Sequence, residues 1–475
     1  MSDTYDLVVI GAGSAGLSAA TFATELGARV ALVDRARPGG DCLATGCVPS
    51  KTLIKVAKVA WEMRHADRYG LPAVTPRVDL ARVNAHVQAT IERVYQFERP
   101  EVLQDKGIAF FSGAAGFINS DVVATGDRLL RGGRFLICTG ARPASPNLPG
   151  LDLVASLTYE NVFNLDALPE RLVILGTGPV GVEMAQAFAR LGSQVTIIGR
   201  SGRLLGKSDT AVQEIVATVL REDGVDLRLR APAVEVAPLA NGSLQVTTSQ
   251  EAVAGDALLV ALGRRPNVEG LDLDRAHVAY SDQGIVVDAK LRTTNPRIFA
   301  GGDVVGGPQF SHYAAWQGYI AVRNALLPGT SRGILAHVPW AVFTDPEVAT
   351  VGLTEPAARE RYGNDLVVRQ MPLDRVDRAQ TEGETRGIVK VVARRNGEIV
   401  GAHVVAARAG ETIQEYVLAM NHRIHLDQLA GAIHVYPTYA TANQQIAADF
   451  WTERLLTGLK GRLIRLLARW GRPSG

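Results

Sequence analysis

Two stretches of the chain share one pattern of apolar and polar positions. Asp6–Asp34 reads DLVVIGAGSAGLSAATFATELGARVALVD, and Arg171–Arg200 reads RLVILGTGPVGVEMAQAFARLGSQVTIIGR. In each, a short apolar run meets a glycine-rich turn. Apolar residues at helical spacing follow, then a Gly, then a second apolar run. Short apolar runs bounded by glycine predict buried strands, and the helical spacing predicts a helix packed on them. Each stretch therefore predicts a β-α-β unit. Strands joined this way lie parallel, so the pattern predicts an α/β fold with helices covering the sheets.

The turns carry chemistry. Gly11, Gly13 and Gly16 form G-x-G-x-x-G directly after a strand, and Gly176, Gly178 and Gly181 repeat it about 165 residues later. Such glycines permit a tight turn, close backbone approach to a pyrophosphate, and close packing of helix on strand. Two copies predict two bound dinucleotides. Asp34 ends the second strand of the first unit, where a carboxylate would take a ribose hydroxyl pair. In the second unit, Gly199 and Arg200 are aligned with Val33 and Asp34. The missing acid, with Arg200 and Arg203 nearby, suits the 2′-phosphate of NADPH better than the free hydroxyl of NADH.

Between these units the texture changes. Lys51–Gln104 has a helical pattern, and Arg134–Arg142 (RFLICTGAR) reads as a short buried strand ending in a turn. Asn147–Gly150 reads as a linker, Ala261–Asn267 (ALGRRPN) as the exit of the second unit, and Thr293–Val304 as a return to the first. From Pro339 onward strands and helices mix. The expected organisation is a first dinucleotide domain in two parts, 1–150 and 269–338, interrupted by a second over 151–268. An α+β domain over 339–452 and a tail over 453–475 complete it.

Bulk composition narrows the function. The 475 residues hold 50 basic and 48 acidic side chains, a net charge of +2, which gives no basic excess for nucleic acid. No basic n-region precedes the first strand, and no apolar run approaches the roughly 20 residues needed to span a bilayer, so a cytoplasmic protein is expected. With only Cys42, Cys47 and Cys138, a disulfide-stapled scaffold is excluded.

Cys42 and Cys47 lie in GGDCLATGCVPSK, spaced Cys-x4-Cys ahead of a helical stretch. A helix N-terminus and a nearby cation favour thiolate, which suits a redox-active pair. Zinc would need two further good ligands, and no second cysteine pair exists, so no metal site is expected. The bland alternative is two small core cysteines. Cys138, inside an apolar run, reads as a core residue.

On these motifs the sequence resembles the class I pyridine nucleotide–disulfide oxidoreductases, from about Tyr5 to about Phe450. Glutathione reductase, dihydrolipoamide dehydrogenase and mercuric reductase belong to that family. The resemblance implies an FAD domain interrupted by an NAD(P)H domain, a C-terminal dimerisation domain, and a homodimer. It implies that Cys42 is the interchange thiol and Cys47 the charge-transfer thiol. Lys51 matches a lysine near the flavin, with Glu183 its carboxylate partner. Thr139-Gly140 matches an FAD-contacting turn, Asp303 the ribityl-binding acid of a second FAD fingerprint, and Gly263 the nicotinamide-domain exit.

Three departures matter. The family's C-terminal His and Glu are replaced by Tyr436 and Thr441 in HVYPTYATAN, a feature similar to mercuric reductases. A phenol titrates near 10, so it is a poor base but a workable acid. His434 is the alternative base. Unlike mercuric reductases, however, the chain has no cysteine after Cys138. Pro179 stands where several members have a gating aromatic. Finally, Glu453–Trp470 (ERLLTGLKGRLIRLLARW) sets Leu455, Leu456, Leu459, Leu463, Leu466, Leu467 and Trp470 at helical spacing. Arg454, Lys460, Arg462, Arg465 and Arg469 flank them, the profile of an amphipathic helix that lies on a membrane surface or packs on the body. The expected activity is NAD(P)H-dependent reduction of a small disulfide or a soft metal ion. A membrane-associated quinone reductase, peripheral to the inner face, is the alternative.

Overall fold

A computed structural model describes residues 3–470, leaving the side chains of Asp3, Lys460, Arg469 and Trp470 outside the description. The chain forms two compact units: Met1–Gly202 with Asp223–Leu335, and Arg203–Glu222 with Ala336–Gly475.

In the first unit, β1 (Asp3–Ile10), α1 (Ser14–Glu25) and β2 (Val30–Asp34) form the first β-α-β unit. The strands run parallel, with Leu7 opposite Val30 and Ile10 opposite Val33. Leu7, Val8 and Val9 are wholly buried, as expected of a strand covered on both faces. The helix buries Ala15, Gly16, Ala19, Ala20 and Ala23, small residues that bring it close to its neighbours. Around this pair the sheet runs Ile108–Ser112, β2, β1, Arg128–Ile137, Val122–Thr125, Ala115–Asn119, and Ile298–Ala300 pairs with Arg128–Ile137. The late strand returning to the early sheet is what makes the domain discontinuous in sequence.

Two helices follow β2, the short α2 (Gly40–Ala44) and the longer α3 (Cys47–Arg64). The Lys51–Gln104 stretch is not one helix: α3 ends at Arg64, and helices resume at Leu80–Tyr95 and Pro100–Asp105. Gly70, Pro72 and Pro76 in the gap explain the break. The buried strand expected from Arg134 starts earlier, at Arg128. Its Gly132-Gly133 pair hid the continuation, because glycine lacks the side chain that marks a strand.

The second β-α-β unit is β3 (Arg171–Leu175), α4 (Pro179–Leu191) and β4 (Gln194–Gly199). Its sheet runs Asp226–Leu229, β4, β3, Ala257–Val260, Ser156–Leu157, all parallel. Helix α5 (Thr210–Glu222) follows β4 but groups with the second unit. A short antiparallel pair, Ala141–Pro143 with Arg264–Pro266, joins the two nucleotide-type regions. Helix α6 (Ser311–Leu326) packs on α1, where a Cβ at Gly318 would lie 2.1 Å from the Ala15 carbonyl oxygen.

The second unit is built on an antiparallel sheet in the order Trp340–Val342, Glu347–Gly352, Ile399–Ala406, Ile388–Arg394, Leu366–Pro372. Its core includes Val389, Val391, Val404, Tyr416 and Phe450. The tail is two helices rather than one: α7 (Thr441–Leu456) and α8 (Gly458–Trp470), separated by an extended Thr457. Leu455 and Leu456 therefore belong to α7, where both are half-buried. Among the described residues no helix is long and apolar enough to cross a membrane.

Candidate functional site

The first glycine loop is set by backbone contacts. Gly11 has φ +104°, and a Cβ there would lie 2.3 Å from the Cys138 carbonyl oxygen; one at Gly16 would lie 1.8 Å from the Gly11 carbonyl oxygen. Side chains are excluded at both. Gly13 is different: the nearest atom to its ideal Cβ is 3.8 Å away, so the loop leaves room above the α1 N-terminus. Asp34 accepts from the Ala12 and Ala36 amides at 2.6 and 2.8 Å, holding a carboxylate at the strand end. Open loop, helix N-terminus and acid together fit the pyrophosphate and ribose of FAD.

The cysteine segment is clamped onto this loop. The Gly39 amide donates to the Ala12 carbonyl at 2.9 Å, and a Cβ at Gly40 would lie 2.7 Å from the Gly13 Cα. Cys42 sits on α2, and Cys47 is the first residue of the 18-residue α3. The positive end of that helix faces the Cys47 thiol. Both thiols are free, Cys47 exposed and Cys42 half-buried.

Their protonation states diverge. The Cys47 thiol is lowered to about 6, first by its hydrogen bond with Cys42, then, against the cost of burial, by Ser311 and the Lys51 charge. Cys42 is pushed up by the same Cys47 hydrogen bond and by burial. The two sulfurs therefore titrate as a coupled pair, with thiolate favoured at the α3 N-terminus. Lys51 Nζ donates to the Glu183 carboxylate at 2.8 Å, and Glu183 is buried on α4. The pairing keeps a cation near the thiolate.

Further around the first unit, Thr139 Oγ1 donates to the Asn267 carbonyl at 2.7 Å, and the Asn267 amide returns a bond to the Gly140 carbonyl at 3.0 Å. This ties the Thr139-Gly140 turn to the ALGRRPN stretch, where Gly263 has φ +112°. Asp303 accepts from Arg264 at 2.5 Å, and burial raises its carboxyl. Arg264 also bonds Asp41 at 2.6 Å and Tyr159 at 3.2 Å. Asp41, Tyr159 and Arg264 went unnamed in the sequence reading. Asp41 lies within GGDCLATGCVPSK and Arg264 within ALGRRPN, but Tyr159 lies in neither, and only the fold brings the three together.

The second glycine loop follows the first. Cβ atoms at Gly176 and Gly181 would each meet a backbone oxygen at 2.3 Å, whereas Gly178 has nothing within 4 Å. Pro179 opens α4, where its missing N–H costs no helical bond. The strand register corrects the alignment of the two units. Ile10 pairs with Val33, and Leu175 pairs with Ile198. Gly199 therefore occupies the Asp34 position and Arg200 lies one residue beyond. Equal spacing from the first glycine forces this; aligning the segment ends obscured it. The acid is still missing. A Cβ at Gly202 would lie 2.7 Å from Arg230 Nε, and the Arg230 amide donates to the Ser201 carbonyl at 3.0 Å. Arg230 thus joins Arg200 at this loop, although no linear motif marked it. Arg203 groups with the second unit. The open Gly178 loop and these cations fit a phosphorylated nucleotide.

In the second unit, Tyr436 and His434 diverge. His434 Nε2 lies 3.0 Å from both Glu415 oxygens, and its side chain is only 9% exposed. Tyr436 is 69% exposed and donates to Asp377 at 2.7 Å. That bond and the Asp377 charge raise the phenol. Ile433 and Val435 beside it are 97% and 78% exposed, an apolar loop without cover from its own chain. Thr441 donates to the Thr438 carbonyl at 2.6 Å and starts α7.

Comparison with known proteins agrees with this architecture. Residues 5–318 match the family model described as pyridine nucleotide-disulphide oxidoreductase, and residues 338–447 match that family's dimerisation domain. Mercuric reductase of Bacillus cereus is 36% identical, with 92% of this chain and 70% of that protein covered. Dihydrolipoyl dehydrogenase of Bacillus subtilis is 32% identical, with coverage of 91% and 95%. The solved HOCl-induced flavoprotein disulfide reductase RclA of Escherichia coli superposes with a TM-score of 0.85 at 31% identity, covering 94% of this chain and 99% of that one. The chain belongs to the pyridine nucleotide-disulphide oxidoreductase family, whose members are FAD-dependent enzymes using a pyridine nucleotide.

Proposed function

We propose that this oxidoreductase takes electrons from NADPH and reduces a small disulfide or a soft metal ion at Cys42 and Cys47. The observation that carries this reading is the geometry: two free thiols at the N-terminus of α3, with Ser311 on Cys47 and the Lys51–Glu183 pair nearby. When bound, FAD supplies the two-electron relay between NADPH and the Cys42–Cys47 disulfide.

The reduced pair can then act as follows. The Cys42 sulfur attacks a substrate disulfide as its proton passes to the departing thiolate, giving a mixed disulfide and one free thiol. The Cys47 thiolate attacks the Cys42 sulfur, restores the Cys42–Cys47 bond and releases the second product as a thiolate, which takes its proton from Tyr436 of the partner subunit. Per cycle, two electrons leave the pair and one substrate disulfide becomes two thiols. A soft divalent cation, as in the mercuric reductases this chain resembles, would be substrate for the same two sulfurs.

Asp34 and the Gly11–Gly16 loop would hold FAD; Arg200 and Arg230 would select the 2′-phosphate of NADPH. The working assembly is proposed to be a homodimer in which Tyr436 of the partner subunit delivers protons to the site. Asp377 fixes that phenol in its protonated form, so it serves as acid rather than base. His434, locked by Glu415, serves the loop's shape.

The test is Hg(II)-dependent NADPH oxidation by purified protein in excess small thiol, with Cys42→Ser alongside. A rate that depends on Cys42 supports metal reduction with the small thiol as carrier. A background rate with Hg(II), but Cys42-dependent turnover with small disulfides, assigns the disulfide branch. Quinone reduction that survives Cys42→Ser, with neither other activity, overturns the proposal.

A further inference from the structure

Helix α8 has a use that the redox site does not explain. Thr457 breaks the chain after α7, and α8 is fixed on the end of that helix. A Cβ at Gly461 would lie 2.1 Å from the Leu456 carbonyl oxygen, and the Arg465 guanidinium donates to the same oxygen at 2.9 Å. Held this way, α8 presents Leu459, Leu463, Leu466 and Leu467 at 83%, 56%, 50% and 58% exposure. Their spacing of four, three and one residues places them on one helical face. Arg462 and Arg465 are exposed beside them.

The charge says what suits this face. From Thr457 to the last residue there are five basic side chains, Lys460, Arg462, Arg465, Arg469 and Arg472, and no acid. The whole chain carries only +2, so outside this segment the side-chain charge is −3. The positive excess is therefore concentrated where the leucines are exposed. A second copy pressed onto this helix would set its four cations, Lys460, Arg462, Arg465 and Arg469, against another four, which opposes association. An anionic bilayer complements both features: leucine side chains enter the headgroup–acyl boundary, while arginines meet lipid phosphates.

We propose that α8 docks this enzyme on the surface of an anionic phospholipid bilayer, with Leu459, Leu463, Leu466 and Leu467 inserted and the flanking basic residues at headgroup level. The helix lies in the interface and does not cross it. The remainder of the chain stays in water, with its redox site available to substrates at or near the surface.

The experiment is co-sedimentation of full-length protein with vesicles of phosphatidylcholine alone or mixed with phosphatidylglycerol. Wild type should bind the mixed vesicles at low salt, leave them as salt screens the attraction, and ignore phosphatidylcholine. Arg462→Gln should weaken partition about fivefold, the share of one surface cation. The double change Leu463→Glu with Leu466→Glu should abolish binding and leave turnover in solution intact, which shows that the fold survives. Equal binding to both vesicle types, or unchanged binding by the double variant, overturns the proposal. So does a change from dimer to monomer in the double variant on analytical ultracentrifugation, which assigns the face to a second copy.

Discussion

Ser311 Oγ lies 3.3 Å from Cys47 Sγ, although 264 residues separate them. Ser311 begins α6 and Cys47 begins α3, so two helix N-termini converge on one sulfur. Removing the hydroxyl by Ser311→Ala should weaken the thiolate. A hydrogen bond to a charged group contributes about 1.5 kcal/mol at the low end, which applies because Cys47 is exposed; that is roughly one pH unit. Ultraviolet titration of the reduced protein checks it. In wild type the thiolate signal should persist as pH falls toward about 6 and vanish below; in the variant it should vanish at higher pH. An unmoved titration would show that Ser311 does not hold the thiolate.

Arg230 should contribute to nucleotide choice together with Arg200. Calorimetry with 2′,5′-ADP and 5′-AMP separates the phosphate from the rest of the nucleotide. Wild type should prefer 2′,5′-ADP, and Arg230→Ala should weaken that ligand about tenfold while leaving 5′-AMP unchanged, consistent with losing one charge-assisted contact. Equal binding of both ligands by wild type would instead remove the NADPH preference.

Tyr436 and Asp377 make a prediction about pH. The neighbouring carboxylate raises the phenol, so the proton donor survives to higher pH than an isolated tyrosine allows. Asp377→Asn should move the alkaline limb of the kcat profile to lower pH. Tyr436→Phe should lower kcat about a hundredfold and leave KM for NADPH unchanged. Profiles that superpose in all three proteins would take Tyr436 out of the chemistry.

Stability of the second unit should depend on Lys390. Its ammonium lies 2.8 Å from Asp209 and 2.6 Å from Glu355, and the Asp209 side chain is fully buried. Lys390→Met would leave that carboxylate unpaired and cost about 3–5 kcal/mol, measurable by denaturant unfolding. Burial is the largest single influence and opposes ionisation of Asp209 and Glu355, but Lys390, together with the Glu355 amide and His403 at Asp209 and Arg359 at Glu355, outweighs it and holds both carboxyls below the usual range. Their stabilisation is therefore complete above the ordinary carboxylate range. It is lost as pH falls through the lowered values, so the gap between wild type and variant should close below about pH 4.

Local sequence was enough for the elements with strong periodicity. The two β-α-β units read directly from apolar runs and glycines, because their strands are buried on both faces and Gly11, Gly16, Gly176 and Gly181 have no room for a side chain. The cysteine pair read equally well, its spacing and following helix lying within Gly39–Lys51. Boundaries read less well. Gly132 and Gly133 hide the strand that starts at Arg128, and the leucine spacing continues through Thr457, so the tail reads as one helix where the structure has two.

The amino-acid sequence by itself determined the fold class, the two glycine loops and the placing of the cysteine pair ahead of a helix, since each depends on neighbours within a few tens of residues. Tertiary structure decided which residues surround them. Ser311 reaches Cys47, Lys51 meets Glu183, Arg264 joins Asp41 to Asp303, and Arg230 covers Gly202 only once distant strands and helices are in place. It also distinguished His434, locked on Glu415, from Tyr436, exposed two residues later. The reason is physical. Hydrophobic period and glycine sterics are written along the chain, whereas a hydrogen bond or ion pair between remote segments depends on the packing that brings them together.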